Sequence, residues 1–250
     1  ELLADTKTNP KSIRLVVHGT TVATNAMLER KGADVCLITT KGMEDILEIA
    51  RQNRDEIYSL NPSRPEPLVQ RENRIGIVER LTAGGKIIKD LESGEIDKVV
   101  DSVRSREPDA VAISLLYSYE NPCHEQAVLR QLQAKTGCYV VASSDVLPEF
   151  REFERTSTTV LEAYLGPLVI DYVENLSEAL SKLCPNTQFA VMQSNGGTIL
   201  SSRITGKSVG LALSGLAGGV IGGWEIAKRE DIAKAITLDM GGTSCDISAI

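Results

Sequence analysis

The residues best equipped for chemistry lie in one run near the end of the chain: Ile236-Thr237-Leu238-Asp239-Met240-Gly241-Gly242-Thr243-Ser244-Cys245-Asp246-Ile247. An apolar strand closes on Asp239, a Gly-Gly-Thr turn follows, and a second apolar run begins. Glycines at 241 and 242 let main-chain N–H groups approach phosphate oxygens without a Cβ in the way, and Thr243 and Ser244 add hydroxyl donors. Asp239 and Asp246 are hard oxygen donors, suited to hold Mg2+ directly or through water, or to orient a water molecule. The run predicts a phosphate site with Gly241, Gly242, Thr243 and Ser244 as binders, Asp239 and Asp246 as catalytic groups, and Asp239 on the metal side. The same letters also spell a plain β-hairpin with a tight glycine turn.

A second candidate lies at His18-Gly19-Thr20-Thr21. A strand, then small residues, then a helix start offers free amides and a helix dipole to an anion. His18 could supply a charge or a proton, with Thr20 and Thr21 binding substrate. The alternative is a half-buried histidine with a threonine as N-cap. Arg151 and Arg155, within Arg151-Glu152-Phe153-Glu154-Arg155, could clamp a carboxylate or carbonyl through a bidentate guanidinium, or belong to a solvated face. Ser194 and Asn195, before Gly196-Gly197, follow an apolar strand and are either a ligand loop at its carboxyl end or a plain strand-to-strand turn. Ser214-Gly215 and Gly218-Gly219 read as close packing at a helix start.

Elements able to position these residues recur along the chain. Short Val/Ile/Leu-rich runs predict strands at Ile13 to His18, Asp34 to Thr39, Ala110 to Leu116, Tyr139 to Ser143, Phe189 to Gln193 and Ala235 to Asp239. Amphipathic patterns predict helices at Thr21 to Lys31, Glu44 to Arg51, Glu95 to Arg106, Glu120 to Lys135 and Ser157 to Leu183, the last kinked or broken at Gly166-Pro167. Arg74 to Ile88 reads as a β-hairpin turning at Gly84-Gly85, and Asn53 to Pro67 as irregular. Such alternation predicts a mainly α/β architecture.

Composition narrows the function classes. The 250 residues are 42% hydrophobic and 24% charged, the balance of an ordinary globular protein. A net charge of −7 argues against a nucleic-acid surface. No apolar run approaches the roughly 20 residues of a membrane helix, and the polar start predicts no signal peptide. Five scattered cysteines without a Cys-x-x-Cys pair predict reduced thiols and a cytoplasmic protein. Two histidines exclude a His-rich metal site, and Val128 stands where a zinc-protease motif starting at His124-Glu125 needs its second histidine. Nothing resembles a Ser-His-Asp or Cys-His arrangement. Both ends read as cut: Glu1 is not an initiator Met, and Asp246 to Ile250 reads as a strand with nothing to pair against, so a fragment or excised domain is expected.

Five stretches together resemble the hydantoinase A/oxoprolinase family, which is similar to the actin-like ATPases. They are His18 to Ala26 with Leu28-Glu29-Arg30-Lys31-Gly32; Arg151 to Thr159; Met192 to Gly197; Ser214 to Val220; and Asp239 to Asp246. Leu216 replaces the Pro of the family's Ser-Gly-Pro-Ala-Gly-Gly, and Cys245 stands where Thr is typical. The resemblance implies ribonuclease-H-like lobes with ATP in the cleft between them. It implies a first lobe over residues 1–210 with its first strands missing, a connecting helix over 211–230, and the start of a second lobe over 231–250. The family's first phosphate loop would then precede Glu1 and its adenosine site would follow Ile250, so the chain alone should bind ATP poorly. The implied activity is ATP- and Mg2+-dependent hydrolysis of a cyclic amide, such as a hydantoin (N-methylhydantoinase type) or 5-oxoproline, by an A-type subunit within an oligomer containing a B-type subunit. An ATP-dependent ketone carboxylase subunit and a non-catalytic nucleotide-binding subunit are the alternatives.

Overall fold

The computed structural model describes residues 9–53, 57–60, 65–240 and 245–250. In chain order the principal elements are β1 (Leu15–His18), α1 (Val22–Leu28), β2 (Val35–Thr40), β3 (Arg74–Ile77), β4 (Arg80–Leu81), β5 (Ile87–Lys89), α2 (Ser93–Arg106), β6 (Ala110–Ser114), α3 (Cys123–Lys135) and β7 (Tyr139–Ala142). Then follow α4 (Glu152–Leu183), β8 (Gln188–Met192), β9 (Thr198–Leu200), α5 (Ser214–Arg229), β10 (Ile236–Met240) and β11 (Cys245–Ala249). The mixed α/β class is the expected one. Packing divides the chain into two units, Gly32–Pro167 and Glu1–Lys31 with Leu168–Ile250.

Unit Gly32–Pro167 is built on a parallel sheet in the order β3-β2-β6-β7. β2 and β6 are buried at every position, as central strands covered on both faces must be. Helix α2 carries Val99, Val100 and Val103 on one stripe, and these pack with Val128 and Leu132 of α3 onto Cys36, Ile38, Val111 and Ile113. Each fully buried Val, Ile or Leu contributes about 1.5–3 kcal/mol.

Three expectations are corrected here. Arg74 to Ile88 is not one hairpin: β3 pairs in parallel with β2, and only β4 and β5 form the hairpin. Ile77 is fully buried in the core that the parallel sheet shares, a position a solvent-facing hairpin would not give it. The hairpin turn does fall where expected, closed by Thr82 N–H to Lys86 O at 2.8 Å, with Gly85 at φ +72°. The long helix starts at Glu152 and runs without interruption through Pro167 to Leu183. Buried Ala163, Leu165, Val169 and Val173 flank the proline, and their packing offsets the roughly 3 kcal/mol it costs. Finally, the last strand does have a partner: β11 pairs antiparallel with β10, Ile236 opposite Ala249.

In the other unit β1 runs parallel to β8, with His18 opposite Val191, and β9 returns antiparallel to β8. The hairpin β10–β11 lies against α5, whose Gly223 makes the close approach possible. A Cβ on Gly223 would collide with the Thr237 methyl, and one on Gly219 would sit 3.5 Å from the Asp239 carboxylate. Gly218 meets Met192 of β8 in the same way, at 3.5 Å. Of these three, only at Gly223 does the packing exclude a side chain; at Gly218 and Gly219 a Cβ would make ordinary contact.

Candidate functional site

Because β1 and β8 are parallel, their carboxyl ends lie at one end of the sheet, which brings His18 to Thr21 and Ser194-Asn195 to the same edge. The α5 start joins them through side chains. Ser214 Oγ donates to Thr20 O (3.0 Å) and accepts from Thr20 N–H (3.4 Å), so a fully buried serine satisfies both main-chain groups of Thr20. Thr24 Oγ1 accepts Leu213 N–H at 2.9 Å. Leu213 is in the left-handed region, and α5 has no side-chain cap of its own. The Thr20 hydroxyl accepts Val22 N–H at 3.2 Å, a local cap. Thr21 Oγ1 takes the Asn25 amide at 3.4 Å.

His18 is the titratable group of this edge. Its Nε2 lies 2.7 Å from the Tyr172 hydroxyl, with the Phe189 ring beside it. Burial pushes the imidazole below the ordinary histidine value, which favours the neutral ring. Ser194 and Asn195 form the β8–β9 turn. Asn195 Oδ1 accepts Gly197 N–H (2.8 Å), Gly196 N–H donates to Gln193 O (3.0 Å), and Gly196 holds φ +83°. Both side chains are exposed.

Asp239 and Asp246 stand directly opposite each other across β10 and β11. Strand alternation puts both on the face that carries Thr237 and Ser248, whose hydroxyls are hydrogen-bonded. That polar face is the one lying on the Gly219/Gly223 side of α5, while Leu238, Met240 and Ile247 stand exposed on the other. Gly241, Gly242, Thr243 and Ser244, the expected phosphate binders, lie outside the described residues. Two like charges held opposite each other are unfavourable by themselves, and an arrangement of this kind is relieved by a cation. The donor chemistry fits Mg2+, which takes one or two carboxylates and completes its shell with phosphate oxygens and water. Among the described residues no group of three or more His, Cys, Asp or Glu is placed to hold a metal.

The two arginines belong to unit Gly32–Pro167 and differ from each other. Arg155 is 1% exposed, and its guanidinium donates to Glu149 O (2.8 Å) and Leu115 O (3.0 Å) while lying over the Tyr119 ring. Those bonds tie the α4 start to the end of β6, which is a holding role. Arg151 is exposed beside Phe150 and pairs with Glu154 at 3.9 Å.

A buried polar network that sequence reasoning did not foresee occupies the same unit. His124 Nδ1 meets Glu79 Oε2 at 2.8 Å and Nε2 meets Asp90 Oδ1 at 3.2 Å; Thr40 donates to Glu79. Glu125 is fully buried and accepts Leu115 N–H, Ser143 Oγ–H and Ser144 N–H. Burial pushes its carboxyl up, and these hydrogen bonds pull it back. The apparent zinc-protease dipeptide thus supplies two internal braces. Tyr172, Ser214 and Thr24 were missed as well, because each acts on a residue far away in sequence and carries no local signal.

Known proteins share this fold. A model of the hydantoinase/oxoprolinase N-terminal region matches residues 1–136, and a hydantoinase/oxoprolinase model matches residues 155–250. An uncharacterized protein of Methanocaldococcus jannaschii is 37% identical over 95% of this chain, and caprolactamase subunit alpha of Pseudomonas jessenii is 35% identical over 94%. The chain spans only 36% and 34% of those two proteins. Among solved structures, nucleotide-free acetone carboxylase, described as ATP-dependent, superposes with TM-score 0.90 at 27% identity, over 99% of this chain and 37% of that one. ATP-dependent caprolactamase from Pseudomonas jessenii superposes with TM-score 0.83 at 34% identity, over 97% of this chain and 36% of that one. With both halves matched in order and the fold shared nearly end to end, the chain belongs to the hydantoinase/oxoprolinase family and has its actin-like ATPase fold.

Proposed function

We propose that this chain is the ATP-handling part of an A-type subunit that opens a cyclic amide at the expense of ATP. The observation that carries this reading is the cross-strand pair Asp239–Asp246, set against the glycine face of α5 and flanking the Gly-Gly-Thr-Ser run. Two opposed carboxylates can share a cation, which supports this reading, and they occur in a chain related to an ATP-dependent caprolactamase. Gly241, Gly242, Thr243 and Ser244 would cradle phosphate, Asp239 would hold Mg2+ directly or through water, and Asp246 would complete the acidic pair. Mg2+ would neutralise charge on the phosphates.

Amides in rings hydrolyse reluctantly. Moving the γ-phosphoryl group of ATP onto the ring carbonyl oxygen releases ADP and makes that carbon a better electrophile. Water then adds to the carbon and the ring C–N bond breaks, the nitrogen taking up a proton and leaving an acyl phosphate, which a second water hydrolyses to carboxylate and phosphate. Catalysis of the transfer is chiefly positioning and charge neutralisation, which suits hydroxyls and main-chain donors. His18, Thr21, Ser194 and Asn195 share one sheet edge and would face the substrate, while the expected binder Thr20 is buried with its hydroxyl on Val22 N–H and holds the turn instead; Arg151 retains the exposure a clamp needs. Arg155 contributes through the fold.

The lobe division at 1–210, 211–230 and 231–250 is part of this reading. The exposed Leu238, Met240 and Ile247 face of the last hairpin supports it, since a lobe only begun would leave such a face bare. A cytoplasmic multi-subunit enzyme with a B-type partner completes the proposal. Among the described residues no helix is long and apolar enough to cross a membrane.

One rival has specific support: the close superposition on acetone carboxylase favours a ketone-carboxylating subunit. Substrate-dependent ADP release by the full-length protein with its partner subunit separates the two. Stimulation by lactams, hydantoins or 5-oxoproline supports the amide reading, and stimulation only by ketones with bicarbonate overturns it.

A further inference from the structure

His18 ends β1 with one ring nitrogen engaged and the other unengaged. Its Nε2 lies 2.7 Å from the Tyr172 hydroxyl, and among the described residues Nδ1 has no hydrogen-bond partner. Tyr172 comes from the second half of α4, 154 positions away, so the contact exists only because helix and sheet pack together. The two rings are tilted by 32° with centroids 5.9 Å apart, an edge-on approach directed by the hydrogen bond rather than a stack. Phe189, on the neighbouring strand, closes another side of the imidazole at 6.4 Å.

A neutral imidazole has one donor and one acceptor nitrogen, and the partner of either fixes the identity of both. The half-buried phenol has no other acceptor among the described residues. If Nε2 carried the proton, both the phenolic hydrogen and the Nδ1 lone pair would lack a partner among the described residues; if the phenol donates to Nε2, only the Nδ1–H is left over. The proton then sits on Nδ1, on the unengaged side of the ring.

We propose that Tyr172 is a positioning residue that donates its O–H to His18 Nε2, locks the imidazole plane and fixes the Nδ1–H tautomer, so that His18 meets the substrate as a neutral hydrogen-bond donor to an oxygen and not as a general base. The partially buried position, which disfavours the imidazolium, agrees with this. The oxygen would belong to the leaving phosphoryl group during transfer, or to the tetrahedral carbon once water has added, where negative charge develops. This inference rests on the reading of the His18 edge as part of the site. It goes further by giving His18 a role and naming the residue that sets it.

The test is 15N NMR of the intact polypeptide with histidine labelled, the His18 signals being those lost in His18→Gln. The wild-type protein should show Nε2 unprotonated and Nδ1 protonated; Tyr172→Phe should relax the ring toward the Nε2–H form. In steady-state assays Tyr172→Phe should lower kcat and kcat/KM together by roughly 10- to 100-fold with KM little changed, as for a group misplaced in the transition state. Adding it to His18→Gln should cost nothing more. A protonated Nε2 in the wild type, or a tautomer indifferent to Tyr172→Phe, overturns the proposal while leaving the site reading intact. Full turnover in His18→Gln overturns the site reading itself.

Discussion

Both units gather polar residues where parallel strands end, and they use them in opposite ways. In unit Gly32–Pro167, Thr40, Glu79, His124, Glu125, Ser143 and Arg155 are buried and hydrogen-bonded to one another or to main-chain groups. In the other unit, Ser194, Asn195 and Asp239 are exposed, His18 keeps a nitrogen unengaged, and Asp239 faces a like charge. A buried polar group must be satisfied or it costs stability, so a satisfied network is a brace. A group left with open valence or uncompensated charge is disposed to meet something else. The density of interesting residues is therefore a poor guide to function; what separates holding from acting is whether their bonding capacity is already spent.

The comparison can be broken by substitution. Asp239→Ala in the full-length protein should lower ATP turnover by about 10^2–10^3-fold, on the scale of removing a charge-stabilising group, while leaving denaturant unfolding of the protein within about 0.5 kcal/mol. Retained turnover would remove the acidic pair from the mechanism. Glu125→Gln should do the reverse. All three donors on its carboxylate are N–H or O–H groups, and an amide would oppose one of them with its own hydrogens. A loss of about 1–3 kcal/mol in urea unfolding is expected, with turnover falling only as the folded fraction falls. A normal midpoint would show that this network is not a brace.

Gly223→Ala sharpens the point within the unit that carries the acidic pair. The new methyl collides with Thr237, a cost of about 1–3 kcal/mol, set against about 1 kcal/mol gained in helix propensity. The net loss should be near 1 kcal/mol, accompanied by weaker nucleotide binding as β10 is displaced; unchanged binding would disconnect the glycine face from the site. The smallest effect is that of pH on His18. Its folded value lies below the ordinary 6.5, so as pH falls through 6.5 the unfolded chain takes up a proton before the folded one does, and stability drops. Above that range both states are neutral and the contribution vanishes. The wild-type acid slope should be steeper than that of His18→Gln, and equal slopes would show the imidazole to be unburied.

Much of the scaffold could be read directly from the chain. β2, β6 and β7 fall within a residue or two of the runs of Val, Ile and Ala that predict them, because a strand covered on both faces is written as continuous apolar sequence. The stripe of Val99, Val100 and Val103 likewise announces α2. Reading failed where a residue's fate depended on a distant partner. Arg74 to Ile88 carries ordinary hairpin signals, yet β3 is claimed by β2; Gly166-Pro167 carries break signals, yet packing carries the helix through. Of the candidate site, the His18 edge and the acidic pair were visible as motifs. Arg155 looked like a clamp because sequence does not reveal that it is buried with its terminal nitrogens spent on Glu149 O and Leu115 O, leaving a buried Nε without a hydrogen-bond partner among the described residues.

By itself the sequence determined the α/β class, the family and the identity of the glycine, hydroxyl and acidic residues that a phosphate site requires, since these depend on local periodicity and on chemical type. Only the tertiary structure decided that Asp239 faces Asp246, that Ser214 satisfies Thr20 and that Tyr172 reaches His18. Each of these is a relation between segments that the chain brings together solely by burying their shared apolar surface, and no local pattern encodes it.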